Sequence, residues 1–145
     1  MARRGLFVVA EGIDGAGKSS VLRAVAASLS KDKVVYHQFF RRNTAWDRFI
    51  QARTSSWFYF FECVRQTWVE ICPALRQGKI VLQDRYIQTI DTYAPEAKRW
   101  RNRALRWLLA PFFLQPDFFV WFQVEPCVAI ERLRTHSNGN DRYHQ

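Results

Sequence analysis

"LFVVAEGIDGAGKSS", residues 6–20, joins a short apolar run to a segment holding three glycines, a lysine and two serines. Gly12 and Gly17 stand five positions apart and are followed by Lys18 and Ser19, which spells G-x-x-x-x-G-K-S. That spacing is the pattern of a phosphate-binding loop, and it carries weight only between a strand and a helix. Residues 6–10 are continuously apolar, as in a strand buried on both faces. Beyond the loop, Val21, Leu22, Val25, Ala26 and Leu29 recur at three- and four-residue steps, the stripe of an amphipathic helix. Glycines let backbone N–H groups converge on phosphate oxygens, and the helix N-terminus adds a positive dipole end. Lys18 then reaches the β- and γ-phosphates while the Ser19 hydroxyl ligates Mg²⁺. The stretch reads as a nucleotide cradle built from Gly12, Gly15, Ala16, Gly17, Lys18, Ser19 and Ser20, not as a glycine turn without a ligand.

The whole chain bounds what such a cradle could serve. Its 145 residues suit one domain with a sizeable core. A hydrophobic share of 48% with 16% aromatics excludes a disordered chain. Twenty-two basic against 13 acidic residues leave a charge of +9, which suits anionic partners, phosphorylated small molecules as well as nucleic acid. Cys63, Cys72 and Cys127 are odd in number and form no C-x-x-C pair, as expected of reduced thiols in a cytoplasmic compartment. No His or Cys falls at zinc-ligand spacing. "MARRGLFVVA" mimics the opening of a signal peptide, but its apolar part runs straight into Glu11 after only about five residues. No segment approaches the roughly 20 apolar residues of a membrane span, so no membrane partner is expected.

Strand and helix patterns alternate along the chain. A second strand is expected over 33–40, then a polar loop, "RRNTAWD". A long helix should cover 57–77 and stop at Gly78, a residue suited to a helix C-terminus. A third strand follows over 79–84, then helical material to about residue 109, interrupted near Ala94 and Pro95. A fourth strand at 116–124 leads into a helix with Pro126 in its first turn. Apolar strands joined by helical crossovers predict an α/β, three-layer fold of the P-loop NTPase type, with a central parallel sheet and helices on both faces, as one domain over 1–145. In such sheets ligands bind beyond the carboxyl ends of the strands, where the loop and Asp84 both lie.

Asp84, in "LQDRY" (82–86), ends a buried apolar strand, an expensive position unless something polar satisfies it. Beside a phosphate loop its natural partner is Mg²⁺ or the ion's waters. Arg85 can present a two-pronged fork to a phosphate. The bland alternative is an Asp84–Arg85 pair that caps the next helix.

At this point the chain resembles the thymidylate kinases, a family of P-loop nucleoside monophosphate kinases. "FVVAEGIDGAGKSS" is similar to their phosphate loop, including Asp14 two residues after the first glycine. "FFECVRQTW" resembles their Phe-x-x-x-Arg segment, here Phe61 and Arg65. "DRYIQTIDTY" resembles their Asp-Arg-Tyr motif, with a second tyrosine at Tyr93. "PDFFVWFQVEPCVAIERLR" resembles the strand and helix that lead to the lid.

The resemblance implies ATP and Mg²⁺ as cofactors and specific roles for these residues. Arg85 holds the acceptor monophosphate, Phe61 stacks on the pyrimidine and Arg65 bonds its edge. Tyr93 packs beneath the sugar, and Asp14 contacts the sugar hydroxyl or tunes the phosphate geometry. Arg132, Arg134 and Arg142 belong to a lid over about 132–145, of which one or two act on the transferring phosphate. Ser19 and Asp84 hold the metal. Each role has a plainer counterpart: Phe61 and Tyr93 as core packing, and Arg65 as an ion pair with Glu62. Arg41 and Arg42 follow the second strand, where an arginine could also touch the acceptor phosphate, the plainer reading being a solvated loop.

Two departures fall on the acceptor side. Ala94 stands where many such kinases carry glutamine, and "HQFFRRN" lacks their proline after the second strand. The resemblance also implies a further C-terminal part with a fifth strand, whose absence beside the phosphate-loop strand would leave an exposed sheet edge. Such kinases often dimerise, which makes the aromatic helix 57–68 a candidate contact surface; the monomer's own core explains its crowding equally well. In "KRWRNRALRW" (98–107), Lys98, Arg99, Arg101, Arg103 and Arg106 offer a basic face for nucleic acid or a lipid surface. The expected reading of such a run is the plainer one, a solvated helix whose Trp100, Trp107 and Leu108 face the core.

The reading expected from all of this is γ-phosphoryl transfer from Mg²⁺-ATP to a deoxynucleoside monophosphate, dTMP by resemblance. A deoxynucleoside kinase would instead use Glu11 or Asp84 to deprotonate a sugar hydroxyl. A nucleotide-binding module with little catalysis, in a nucleic-acid-associated assembly, is the alternative from another class. The basic run favours that module, and the intact Lys18, Ser19, Asp84 and Arg85 disfavour it.

Overall fold

The computed structural model of the chain describes residues 4–39, 56–92 and 99–140. Arg41, Arg42, Tyr93, Ala94, Pro95, Lys98 and Arg142, all singled out above, lie outside the described residues. Strand β1 (Phe7–Gly12) enters the loop and helix α1 (Lys18–Ser28) leaves it. Strand β2 (Val34–Gln38) comes next, followed by α2 (Ser56–Gln66), a π-helical turn (Thr67–Ile71) and α3 (Cys72–Arg76). Then come β3 (Ile80–Asp84), α4 (Ile87–Thr92), α5 (Arg99–Leu109), a short 3-10 turn (Ala110–Phe112), β4 (Phe118–Phe122) and α6 (Pro126–Asn140).

The four strands form one sheet in the order β2-β3-β1-β4, and every neighbouring pair is parallel. Successive side chains of a strand point to opposite faces, so each strand feeds two cores. Phe7 and Val9 of β1 and Val81 of β3 join Phe60, Cys63, Ile71 and Leu75 on the α2–α3 side. Val8, Ala10, Ile80 and Leu82 turn the other way, onto Leu22 and Ala26 of α1. Helices on both faces satisfy the near-continuous apolar strands, which is the expected P-loop NTPase-type α/β architecture. Tyr86, 1% exposed, knits the first core together. Its ring packs edge-on against Phe7 at 5.4 Å, and its hydroxyl bonds Thr67 Oγ1 at 2.8 Å and accepts the Leu114 N–H at 3.2 Å.

Several expectations need correction. The helix predicted over 57–77 runs without a gap but widens to π winding at 67–71, where the Cys72 N–H reaches Thr67 O, five residues back. Pro73 has no N–H and its ring crowds the preceding turn, and a wider turn accommodates both. Gly78 does end the helix, at φ 75°: its N–H bonds Leu75 O, and the Lys79 N–H bonds Ala74 O.

The exposed edge expected at the phosphate-loop strand lies elsewhere. β1 is paired on both sides, by β3 and β4, and among the described residues β4 is the terminal strand. Phe118, Phe119, Val120 and Trp121 of β4 are all exposed, so this strand is not sandwiched as its apolar run suggested. The α1 stripe is likewise buried only at Leu22 and partly at Ala26, while Val21, Val25 and Leu29 are exposed. In α5 it is Leu105 that enters the core; Trp100 and Trp107 are 73% and 79% exposed and Leu108 is exposed too, contrary to the expectation that these three face inward. No helix among the described residues is long and apolar enough to cross a membrane.

Candidate functional site

The cradle forms where β1 ends and the chain must double back into α1. Gly12, at φ 145°, lies so close to β4 that a Cβ there would stand 2.4 Å from the Phe122 carbonyl oxygen. Gly15, at φ 79°, is pressed against α6 in the same way, with a Cβ 2.4 Å from Ala129 O. Only glycine fits either position, so β4 and the first turns of α6 form one wall of the loop. The Val21 N–H closes the first helical turn onto Gly17 O at 3.0 Å. No acidic residue stands in that first turn of α1 to neutralise its positive end.

Lys18 is 5% exposed and curls over its own loop, donating from Nζ to Gly12 O at 2.9 Å and Ile13 O at 2.7 Å. Burial, and then the charge of Arg85, lower its pKa below the ordinary lysine range; Asp84, Asp14 and Glu11 oppose that shift. Ser19 Oγ donates to Asp84 Oδ2, and the Tyr36 hydroxyl donates to the same oxygen at 3.1 Å. Asp84 is 1% exposed, so these donors offset its desolvation. Burial, and then the neighbouring Asp84 carboxylate, push the Tyr36 phenol up. Arg23 of α1 lies over the Tyr36 ring, 5.7 Å from its centroid. A serine hydroxyl and a carboxylate, both hard oxygen donors in contact, suit Mg²⁺. Among the described residues no cluster of three His, Cys, Asp or Glu side chains could hold a metal by itself.

Arg85 has φ 68°, the only positive value at a non-glycine residue among those described. Such a conformation costs of order 1–3 kcal/mol and persists only where the surroundings over-determine it. Here they do. The Arg85 N–H bonds Ala10 O at 2.9 Å, and its carbonyl accepts from Gln83 Nε2 at 3.0 Å. Its guanidinium pairs with Asp14 across the mouth of the loop. The helix-capping alternative for an Asp84–Arg85 pair is not what forms, because the two side chains engage Ser19 and Asp14 instead. Glu11, 4% exposed, accepts the Tyr86 N–H at 2.8 Å and the Thr89 hydroxyl at 2.8 Å and 3.0 Å.

The remaining candidates divide. Arg132 and Arg134 of α6 are both exposed, and it is Arg132 that reaches the loop, donating from Nη1 to Gly15 O at 3.4 Å. Phe61 is 59% exposed, so the plain core-packing account of it does not hold. Arg65 is held by carboxylates: Nε and Nη2 donate to Glu62 at 2.8 Å and 2.7 Å, and Nη2 donates to Glu70 at 2.8 Å. These bonds, the Glu62 ones first, raise its pKa beyond the usual arginine range. Glu62, three residues from Arg65, is legible in the sequence as its partner; Glu70, which the π turn brings round, and Tyr36 are not, and Glu11 is legible there only as a base. A carboxylate in phase with Phe7 and Val9 was the available signal that Glu11 faces the core.

A parallel sheet whose first strand runs into a lysine-closed glycine loop, facing an acidic strand end, defines a P-loop phosphotransferase fold. A family model for thymidylate kinase matches residues 10–145. The thymidylate kinase of Ligilactobacillus salivarius is 30% identical over 159 aligned residues, covering 97% of this chain and 73% of that protein. A probable thymidylate kinase of Staphylothermus marinus is 28% identical, over 90% of this chain and 69% of that one. Among solved structures, the thymidylate kinase of Candida albicans superposes with a TM-score of 0.70 at 20% identity, covering 88% of this chain and 67% of that one. That of Ehrlichia chaffeensis gives 0.67 at 18% identity over 97% and 88%. The chain belongs to the thymidylate kinase family, and so to the nucleoside monophosphate kinases.

Proposed function

We propose that the chain transfers the γ-phosphoryl group of ATP to dTMP, giving ADP and dTDP. The observation that carries this is the Ser19–Asp84 contact beside the Lys18-closed loop, two oxygen donors set at the mouth of a phosphate cradle. Lys18 exchanges its two loop carbonyls for the β- and γ-phosphate oxygens, and the backbone N–H groups of residues 15–19 surround the phosphates. Ser19 and Asp84 would hold Mg²⁺, which when bound would neutralise the charge that develops on the phosphates. Arg132, already against Gly15, meets the remaining charge, with Arg134 and Arg142 as the further lid arginines.

On the acceptor side, Arg85 holds the monophosphate and Asp14 turns from Arg85 to the sugar hydroxyl. Phe61 offers its exposed ring to the pyrimidine and Tyr93 packs under the sugar. Arg65 uses Nη1 for the base edge, its other donors being engaged by Glu62 and Glu70. An acceptor phosphate oxygen attacks the γ-phosphorus in line as the bond to the β–γ bridging oxygen breaks. No general base is required, because a phosphate monoester near neutral pH is already largely ionised. Glu11, tied to Tyr86 and Thr89 on the opposite sheet face, is badly placed to serve a deoxynucleoside kinase as base.

The test is ADP formation with Mg²⁺-ATP and dTMP, other nucleoside monophosphates or thymidine as acceptors. Turnover with dTMP that falls at least about 10²-fold in Lys18→Ala is expected, the scale of losing one charge-stabilising group in a closed site. Preference for thymidine over dTMP would overturn the assignment.

A further inference from the structure

Given Arg85 as the acceptor-phosphate arginine of the proposed reaction, on which this rests, we propose that Glu11 is a positioning residue. It clamps the backbone immediately after Arg85 and so maintains the left-handed conformation that aims the guanidinium into the cleft. The observation is the coincidence of an outlier and a buried acid. Arg85 takes φ 68°. The next peptide N–H, that of Tyr86, is held by Glu11 Oε1 at 2.8 Å. Glu11 is seated in turn by the Thr89 hydroxyl, one turn further along the same segment.

The geometry forms a bracket. Ala10 O accepts the Arg85 N–H, Gln83 Nε2 donates to the Arg85 carbonyl and Glu11 accepts the Tyr86 N–H. Two of those three groups come from adjacent positions of β1, directly before the phosphate loop. The arginine and the loop are therefore registered to each other through β1. Without the carboxylate, the Tyr86 N–H is a buried donor with no acceptor from Glu11, and relaxing Arg85 to φ below zero becomes the favourable way to re-satisfy it. Such a relaxation swings the guanidinium away from Asp14 and the acceptor phosphate while leaving Lys18 and the nucleotide cradle in place.

The experiment measures dTMP KM, kcat and the Kd of a fluorescent ATP analogue for Glu11→Ala, Glu11→Gln and Thr89→Val. Glu11→Ala should raise dTMP KM by about tenfold or more, as a displaced orienting group does, with ATP-analogue Kd changed by less than about twofold. Glu11→Gln retains an oxygen acceptor and should bring KM back to within about threefold of wild type. Thr89→Val keeps the shape and removes the seating hydroxyl, so it reports the same selective KM rise, smaller, should Glu11→Ala fail to fold. An unchanged dTMP KM in the folded variants, or equal losses for both nucleotides, would overturn the positioning role. A collapse of kcat in Glu11→Gln with KM intact would make Glu11 a base and overturn it as well. If wild type itself does not turn over dTMP, it is the proposed reaction that fails, a result visible before any variant is compared.

Discussion

Arg65→Ala separates a ligand-reading arginine from one that also holds its own helix together. Glu62 is 4% exposed, and Arg65 supplies two of its hydrogen bonds, at 2.7 Å and 2.8 Å, while Gln66 Nε2 supplies a third at 3.1 Å. Breaking a buried ion pair by removing one partner costs roughly 3–5 kcal/mol, because the survivor's desolvation is left uncompensated. Two features reduce that here. The Arg65 side chain is itself 39% exposed, so water already screens the pair, and Gln66 stays bonded to Glu62. The expected loss is therefore about 2–3 kcal/mol of unfolding free energy, and at this chain length each kcal/mol moves Tm by roughly 2–4 °C. Urea unfolding of Arg65→Ala and of Arg65→Met/Glu62→Leu would measure it, the double change recovering most of the loss because no buried charge remains. A loss below about 0.5 kcal/mol, the scale of an exposed pair, would refute the account and leave Arg65 to the substrate alone.

Gly15→Ala should lower stability by at least about 1–2 kcal/mol from backbone strain alone, and more because its Cβ would stand 2.4 Å from Ala129 O; thermal unfolding and an ATP-analogue titration check it. Native thiol titration should show one fast cysteine, the exposed Cys127, lost in Cys127→Ser, while buried Cys63 reacts only on unfolding. Burial, and then Glu62, hold the Cys63 thiol above its ordinary range. The folded state therefore favours the neutral thiol, and the stability this contributes is complete below about pH 8.5 and declines as pH rises past it. Denaturant midpoints between pH 7 and 10 should show that decline in wild type and a smaller one in Cys63→Ala.

The local signals in the chain were enough for the architecture and for half of the site. G-x-x-x-x-G-K-S between an apolar run and a helical stripe placed the cradle, an aspartate ending an apolar strand placed Asp84, and Gly78 marked a helix end. Each depends on spacing along the chain, which strands and helices convert directly into geometry. The partners that complete the site are not of that kind. Ser19, Tyr36 and Asp84 meet because β3 lies between β2 and β1, an order the chain visits out of sequence. Strand alternation sends Asp84 to the α1 face with Ile80 and Leu82, and Glu11 to the opposite face with Phe7 and Val9. Two carboxylates that look interchangeable in the sequence thus serve different sides of the sheet. The π turn that swings Glu70 onto Arg65, the approach of α6 that puts Arg132 rather than Arg134 on the loop, and the exposure of Trp100 and Trp107 likewise depend on what packs against each element. Periodicity specifies which face of an element is apolar; only the folded arrangement decides what that face, and each charge beside it, will meet.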